Sequence, residues 1–332
     1  MIFKRDLAGW QAYEGKDRAV ASFKLYFIIS YCVEYLLKCQ FILSYFNFER
    51  RMNVKIAMIG DLHYPSIDET IPGLKEARST FYERFIDQFL ETEADFHVSI
   101  GDLTNYGLES ELKEVYSLIN QKNRTFYHAL GNHDLYSMTI KEVLRITGQA
   151  HYHSFETEKA VFAFLNTAKE MDYNDWGGWV DHEQLSWLED VIRSSGTKPL
   201  LVFAHHPVYN TTARSDMDKG SIHPDIDMWN ILDKKEGVGV YFNGHTHVDS
   251  IVKQKNWTFV QKSACLDQHA FRLIEIGENE ITVTAIDVND SAIAQSAPII
   301  YDNINHFSPT AAARGTDEHR NCHIPLTAIG AR

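Results

Sequence analysis

Side chains that commonly bind metal ions follow five apolar segments of the chain, at the point where each segment ends. Asp-x-His and His-x-His each offer two donors from one segment end. In chain order the five motifs are Gly-Asp-Leu-His at 60–63, Gly-Asp at 101–102, Gly-Asn-His-Asp at 131–134, Ala-His-His-Pro at 204–207 and Gly-His-Thr-His at 244–247. Asp-x-His or His-His-Pro alone is weak, Asn-His-Asp after Gly is more specific, and Gly-His-Thr-His at a strand end is stronger. Five motifs in succession after apolar runs indicate one common site.

The donor types indicate which metal ions such a site would bind. Imidazole and carboxylate together suit first-row transition metals, whereas calcium and magnesium prefer shells made only of oxygen. A carboxylate has two oxygens, so Asp102 could bridge two ions. Seven donors with one bridge make two four-coordinate sites with positions open for water and substrate. We therefore predict two divalent ions, of manganese, iron or zinc.

The elements that must position these side chains follow from the apolar pattern. From Met52 onward, strand-like runs alternate with helical stretches, which predicts an α/β fold with extra antiparallel strands and two packed sheets. Ligands bind beyond the carboxyl ends of strands in open α/β sheets, so the motifs can meet there. The predicted strands are 54–60, 96–101, 125–131, 199–204, 238–244, 250–255, 258–262, 271–276 and 281–288, and the predicted helices are 76–90, 109–120 and 182–194.

Other histidines lack the context of a motif at a strand end. We interpret them as core or surface residues without a metal-binding role. They are His97, His128, His151, His153 and His182.

Taken together, the five motifs resemble the pattern of the calcineurin-like metallophosphoesterase superfamily over roughly Val54 to Val288. That pattern is D-x-H, G-D, G-N-H-[DE], H and G-H-x-H. The resemblance implies a four-layer αββα sandwich with two packed mixed β-sheets. The metal ligands that it implies are Asp61, His63 and His247 for one ion, Asn132, His205 and His245 for the other, and Asp102 as the bridge.

The same resemblance implies a catalytic role for His133, which would contact the phosphate and protonate the leaving oxygen. His206 matches no ligand position of the family. Water bound between two metal ions is a nucleophile at neutral pH and can attack phosphorus in line. The implied activity is metal-dependent hydrolysis of a phosphate ester without a phosphoenzyme intermediate.

One segment departs from the phosphoprotein phosphatases of this superfamily, which carry G-D-x-V-D-R-G. Here Asn105 replaces the second Asp and Tyr106 stands in place of the Arg. A bidentate Arg suits a dianionic monoester, so its absence argues against protein phosphatase activity and favours a small phosphodiester. The layout is most similar to bacterial class III cyclic-nucleotide phosphodiesterases.

Loops near the motifs are the candidates for choosing the substrate. Aromatic side chains in them, Tyr173, Trp176 and Trp179, either stack on a base or pack the loop against the domain. The candidate loops are Tyr64–Pro72, Tyr136–Thr139, Met171–Val180 and Tyr209–His223.

The charge and cysteine content of the chain restrict its expected substrates and its cellular location. The formal net charge of -13 disfavours a long nucleic acid as substrate, although a metal site can still bind a small anion. The cysteines form no CxxC pair and no disulfide framework, which favours a reducing, cytoplasmic location. They are Cys32, Cys39, Cys265 and Cys322.

Three regions are predicted. Residues 1–51 are an extension with eight Lys or Arg and five Asp or Glu. Its apolar, aromatic stretch Leu25–Phe48 is consistent with an amphipathic helix at a membrane surface, a spanning helix or an artefact of start-site assignment. Residues 52–290 form the catalytic domain. Residues 291–332 are a C-terminal extension with a weakly ordered tail from about 308.

Other functions stay open at this point. A phosphomonoesterase and a pyrophosphohydrolase acting on nucleotides or lipid precursors use the same metal chemistry. A scaffold that keeps the fold without catalysis belongs to another class, and such proteins have lost metal ligands. The motifs of this chain lack none of the ligands.

Overall fold

The computed structural model describes residues 53–326 of the chain. In chain order its strands are β1 (Val54–Ile59), β2 (Phe96–Ser99), β3 (Phe126–His128), β4 (His153–Glu156), β5 (Val161–Phe164), β6 (Leu200–Phe203), β7 (Gly239–Asn243), β8 (Ser250–Gln254), β9 (Trp257–Gln261), β10 (Ala270–Ile276), β11 (Glu280–Asp287) and β12 (Cys322–Pro325). Its α-helices are α1 (Leu74–Glu91), α2 (Glu109–Asn120), α3 (Ile140–Thr147), α4 (His182–Ser195), α5 (Met228–Leu232) and α6 (Ser291–Tyr301).

Two mixed sheets of six strands each form the centre of the described part. The first has the order β12-β11-β10-β1-β2-β3, and the second has the order β4-β5-β6-β7-β9-β8. Strands β1, β2 and β3 run parallel, as do β5, β6, β7 and β9. Parallel strands covered on both faces are apolar nearly throughout, which is the pattern found before each motif.

Alternating side chains of β1 show how the layers form. Ile56 and Met58 pack between the two sheets, whereas Ala57 and Ile59 pack beneath α1 on the outer face of the first sheet. Successive turns of α1 supply Phe81 and Phe85 to that outer core.

Helices α4 and α5 cover the outer face of the second sheet. Leu188 and Ile192 of α4 pack in one core with Val202 of β6 and Trp257 of β9. The layers therefore follow the order helix, sheet, sheet, helix, which confirms the predicted αββα sandwich.

Backbone hydrogen bonds continue past the strand ends and bring the motifs together. Asp61 N donates to the carbonyl of Gly101 at 2.9 Å, which joins the segments after β1 and β2. Gly244 N donates to the carbonyl of His205 at 3.0 Å, which joins the segments after β6 and β7. The motifs that follow β1, β2, β3, β6 and β7 thus lie at one edge of the sandwich, as predicted.

The C-terminal region corrects an expectation. Strand β12 pairs antiparallel with β11, and the buried guanidinium of Arg320 lies 3.2 Å from Asp249 Oδ2. Helix α6 buries Ile293 and Ile300 in the core beneath α1. The predicted weakly ordered tail is therefore wrong for residues 308–326, because strand pairing and a buried ion pair fix them in place.

The predicted amphipathic stretch Leu25–Phe48 lies outside the described residues, as do Cys32 and Cys39. Within residues 53–326, none of the helices is long and apolar enough to cross a membrane. Cys265 and Cys322 carry free thiols.

Candidate metal centre

Three predicted ligands meet where β1 and β7 end. His63 Nε2 lies 3.1 Å from His247 Nε2, and His247 Nε2 lies 3.4 Å from Asp61 Oδ1. Two ligands at 2.0–2.1 Å from a tetrahedral ion are separated by about 3.3 Å, so these spacings fit one ion. Asp102 Oδ2 lies 3.9 Å from His63 Nε2, within reach of the same ion.

A second group surrounds His205, on the other side of Asp102. His205 Nε2 lies 3.0 Å from Asn132 Oδ1, 3.2 Å from His245 Nδ1 and 3.2 Å from Asp102 Oδ2. The Asp102 carboxylate is thus common to both groups. The seven predicted ligands thus lie in two neighbouring groups of donors, and Asp102 is near both.

Hydrogen bonds select the ring nitrogen that each histidine of the second group turns to the site. His205 Nδ1 donates to the carbonyl of Ile100 at 3.0 Å, and His245 Nε2 donates to the carbonyl of Lys219 at 2.8 Å. The nitrogens that remain, His205 Nε2 and His245 Nδ1, are the two that face each other. Fixing the tautomer in this way is typical of metal-binding histidines.

Charge at the site also fits a bound cation. Burial would raise the pKa of Asp61, but the hydrogen bond and charge of His247 lower it to about 2, so the carboxylate is ionised. Burial would lower the pKa of His205, but the charge of Asp102 raises it to about 9. Asp61 Oδ2 is buried and has no hydrogen-bond partner among the described residues. The carboxylates therefore favour positive charge here, and a divalent ion would supply it.

Backbone strain is concentrated at the predicted ligands. Five of the seven have φ values between 50 and 72°, in the left-handed region that non-glycine residues rarely adopt. Each such residue costs of order 1–3 kcal/mol and persists only where the surroundings enforce it. The five are Asp61, His63, Asp102, His245 and His247.

His206 lies beside His205 and His245, close enough to be considered a third ligand of their group. However, His206 Nε2 donates to the carbonyl of Trp176 at 2.8 Å, and Nδ1 lies 2.8 Å from the hydroxyl of Thr167. Both ring nitrogens are engaged, which supports its omission from the predicted ligands.

His133 lies at the same edge, next to the predicted ligands. Its Nδ1 donates to the carbonyl of Asn105 at 2.7 Å, and its Nε2 lies 3.9 Å from Asp102 Oδ2. Burial lowers the pKa of His133, although the charge of Asp102 opposes this. With Nδ1 held by a carbonyl, the ring presents Nε2 to the centre of the site.

The turn that carries Asn132 and His133 is held by Asp134. One carboxylate oxygen accepts from Thr104 N at 2.9 Å, and the other accepts from Gly131 N at 2.9 Å and from His128 Nε2 at 3.1 Å. His128 therefore helps Asp134 to hold this turn in place. The sequence offered no signal for this, since the partner of His128 is set by the turn geometry.

The donors open into a cavity of about 500 Å³. Three of the four candidate loops contribute to its lining, whereas Tyr64–Pro72 and Trp179 are not among the lining residues. The side chains contributed include Tyr136, Tyr173, Trp176 and Arg214. His306, Ser308 and Thr310, which sequence reasoning missed, line the same cavity.

Comparison with known proteins agrees with this geometry. The model of the calcineurin-like phosphoesterase family matches residues 54–249. A 3',5'-cyclic-nucleotide phosphodiesterase of Nostoc sp. is 22% identical over 199 residues, which cover 59% of this chain and 73% of the relative. A glycerophosphodiester phosphodiesterase of Enterobacter lignolyticus is 21% identical over 218 residues, which cover 64% of this chain and 78% of the relative.

Solved structures share the fold. A dimetal phosphatase from Danio rerio superposes with a TM-score of 0.58 at 14% identity, over 70% of this chain and 96% of that chain. GAP50 of Plasmodium, described as the anchor in the inner membrane complex, superposes with a TM-score of 0.50 at 12% identity, over 80% and 99% of the two chains. With the family model matching more than half of the chain, this protein belongs to the calcineurin-like phosphoesterase family.

Proposed function

We propose that this phosphoesterase hydrolyses a small phosphodiester, such as a cyclic nucleotide, with two divalent transition-metal ions. The observation that carries the proposal is the pair of donor groups sharing Asp102, opening into a cavity of about 500 Å³. A cavity of this size fits a small ligand.

Asp61, His63 and His247 would hold one ion, Asn132, His205 and His245 the other, and Asp102 would bridge them. When bound, the ions would supply a water of lowered pKa and neutralise charge on the phosphoryl oxygens. As an imidazolium, His133 would transfer the proton on Nε2 to the leaving oxygen, and the carbonyl of Asn105 would keep the other proton on Nδ1.

The diester preference rests on the residue that replaces the phosphatase arginine. Tyr106 uses its hydroxyl to accept a hydrogen bond from Asn305 N at 2.8 Å, so it is engaged with the protein and offers no cation. Arg214 is the one arginine among the described residues that line the cavity, and its Nη1 lies 3.4 Å from the carbonyl of Thr246. Lys219 lines the cavity too, and its Nζ donates to the carbonyl of Asn174 at 2.6 Å. A bidentate arginine suits a monoester dianion, and both of these cations are directed at backbone carbonyls. Two relatives named as phosphodiesterases support this preference.

The test compares bis-p-nitrophenyl phosphate with p-nitrophenyl phosphate, using purified protein and Mn²⁺. We expect a higher kcat/KM for the diester. A strong preference for the monoester would overturn the diester proposal and favour a phosphomonoesterase. A panel of cyclic nucleotides, dinucleotides, nucleotide pyrophosphates and phospholipid head groups, run with Mn²⁺, Fe²⁺ and Zn²⁺ separately, then identifies the substrate and the metal.

A non-catalytic scaffold is the second candidate, because the fold is shared with GAP50, which is described as an anchor. Metal analysis after gentle purification separates the two. Two bound transition-metal ions per chain would support the enzyme. Absence of bound metal together with no turnover in added Mn²⁺ would favour the scaffold.

A further inference from the structure

The segment Asn305–Thr310, here named the C-terminal strap, lies outside the residues matched by the family model. It follows α6 and passes over the metal centre, where His306, Ser308 and Thr310 line the cavity. Three sets of contacts join the strap to residues of the site.

The first contact is made by Phe307. Its ring is nearly buried and lies 5.0 Å from the ring of His63 and 5.3 Å from the ring of His247, measured between centroids. The edge of His63 meets it at 66°, and His247 stacks on it at 27°. Because these two histidines belong to the same donor group, one aromatic side chain limits the rotation of both.

The second contact is made by the backbone of Asn305. Its N–H donates to the hydroxyl of Tyr106 at 2.8 Å, and its carbonyl accepts from Asn105 Nδ2 at 2.8 Å. The carbonyl of Asn105 is the group that accepts from His133 Nδ1 at 2.7 Å. The strap therefore fixes the turn that orients His133, at the two positions where this chain departs from the phosphatase motif.

The third contact is made by Thr310. Its N–H donates to Asp267 Oδ1 at 3.0 Å, and Asp267 Oδ2 lies 3.9 Å from His247 Nδ1. The strap thus contacts His247 through the ring of Phe307 and also holds Asp267, whose Oδ2 lies near His247 but beyond hydrogen-bond distance.

From these contacts we infer that the C-terminal strap is a positioning element of the active site, which orients His63 and His247 for one metal ion and His133 for proton transfer. The role in proton transfer rests on the proposed function, whereas the role in metal binding does not.

Metal titration of the apoprotein tests whether the strap orients His63 and His247 for metal binding. We expect Phe307→Ala to weaken binding of one of the two ions by about 10- to 100-fold, as is usual when a group that orients a ligand is removed. Phe307→Leu should recover most of this affinity, because it restores most of the packed volume. Phe155→Ala is the matched control, since Phe155 packs on Phe96 and Phe162 in the core between the sheets. If both ions keep wild-type affinity in Phe307→Ala while its melting temperature falls like that of the control, the strap is merely structural.

The dependence of kcat on the leaving group tests whether the strap orients His133 for proton transfer. Tyr106→Phe keeps the ring and removes the acceptor for Asn305 N. We expect kcat for diphenyl phosphate to fall by about tenfold, with KM unchanged, while kcat for bis-p-nitrophenyl phosphate changes little, since p-nitrophenolate departs without a proton. Tyr152→Phe, which removes a hydroxyl bonded to Glu183 on the surface, is the control.

His133→Ala separates the two possible failures. If it slows both esters equally, the proposed proton transfer is wrong, and the metal titration alone decides whether the strap positions the site. If His133→Ala slows diphenyl phosphate selectively and Tyr106→Phe does not, the strap has no role in orienting His133.

Discussion

At the scale of single residues, His133 and Asp102 are neighbours, but replacing them should have different effects on turnover and on metal binding. His133 Nε2 is no closer than 3.9 Å to Asp102 Oδ2, and its Nδ1 is held by a carbonyl. His133→Ala should therefore lower kcat for diphenyl phosphate, whose leaving group needs a proton, by about 10²- to 10⁴-fold, the usual contribution of a general acid, while both metal ions stay bound. Metal content and steady-state kinetics measured on the same sample check this.

Asp102→Asn should instead reduce occupancy of both metal ions, because it removes the charge of the carboxylate that the two donor groups share. Asp95→Asn provides a control, since that carboxylate accepts from Lys55 N at an exposed position away from the site. If His133→Ala stripped the metal ions and Asp102→Asn left them bound, the assignment of these two residues would be wrong.

Gly244 makes a further residue-scale prediction. A Cβ at this position would overlap Asp61 Oδ2, and the backbone of Gly244 is fixed by its bond to His205. Gly244→Ala should displace the Asp61 carboxylate and weaken the ion held by Asp61, His63 and His247. Calorimetric titration with Mn²⁺ measures this, with Gly277→Ala as control, since a Cβ at Gly277 meets its nearest neighbour at an ordinary contact distance of 3.5 Å. Unchanged affinity in Gly244→Ala would show that the turn has room to adapt.

How far the site could be predicted from sequence also differs by residue. The candidate ligands could be picked out because metal coordination requires particular side-chain types, here directly after strands, and both properties can be recognised in the local sequence. Phe307 and Asp267 were not recoverable, because their roles depend on contacts across the fold with no characteristic spacing. The left-handed φ values of the ligands leave no trace in composition either, since Asp and His occupy positions where glycine would be expected.

At the scale of elements, β2 is tied to α1 through a buried neutral histidine. His97 Nε2 donates to the carbonyl of Phe89 at 3.1 Å, and burial lowers the pKa of His97 to about 4. In the unfolded chain a histidine titrates near 6.5. As pH falls from about 6.5 to 4, His97 binds a proton in the unfolded state but not in the folded state. The free energy of unfolding therefore decreases over this pH range.

His97→Gln keeps a donor for Phe89 and removes the titration. We expect the loss of unfolding free energy between pH 7 and pH 5 to be about 2 kcal/mol smaller in this variant than in the wild type. Urea unfolding at the two pH values measures it, and the metal-binding histidines cancel because both proteins contain them. An identical pH dependence in the two proteins would mean that His97 is protonated in the folded state.

Long apolar runs and regular helical spacing made most elements predictable, and α2 begins and ends at the predicted residues. The elements that were missed give weaker signals. Helix α6 contains Pro298, which argues against a helix interior, and β12 is a four-residue strand ending in Pro325. Strand β5 is equally short, and its role is visible only once it pairs with β6.

At the scale of the whole molecule, the first 51 residues are predicted to be dispensable for catalysis. Strand β1 begins at Val54 and leads directly to Asp61, and the contacts described for the metal centre all lie within residues 53–326. A protein truncated to start at Met52 should bind two metal ions with full kcat and KM. An insoluble or inactive truncated protein would move the domain boundary toward the N-terminus. Cosedimentation of the full chain with anionic vesicles, absent in the truncated protein, would support membrane contact by residues 25–48.

The pairing of β1 with β10 has a consequence for synthesis on the ribosome. Val54 pairs with Ile276, so β1 emerges long before the neighbour that completes its inner edge. At about 5–20 residues per second, the intervening chain takes roughly 10–40 s to make. During that interval an apolar strand keeps an open edge that can pair with other nascent chains. We therefore expect chaperones to bind this protein co-translationally, and expression yield to depend on their supply.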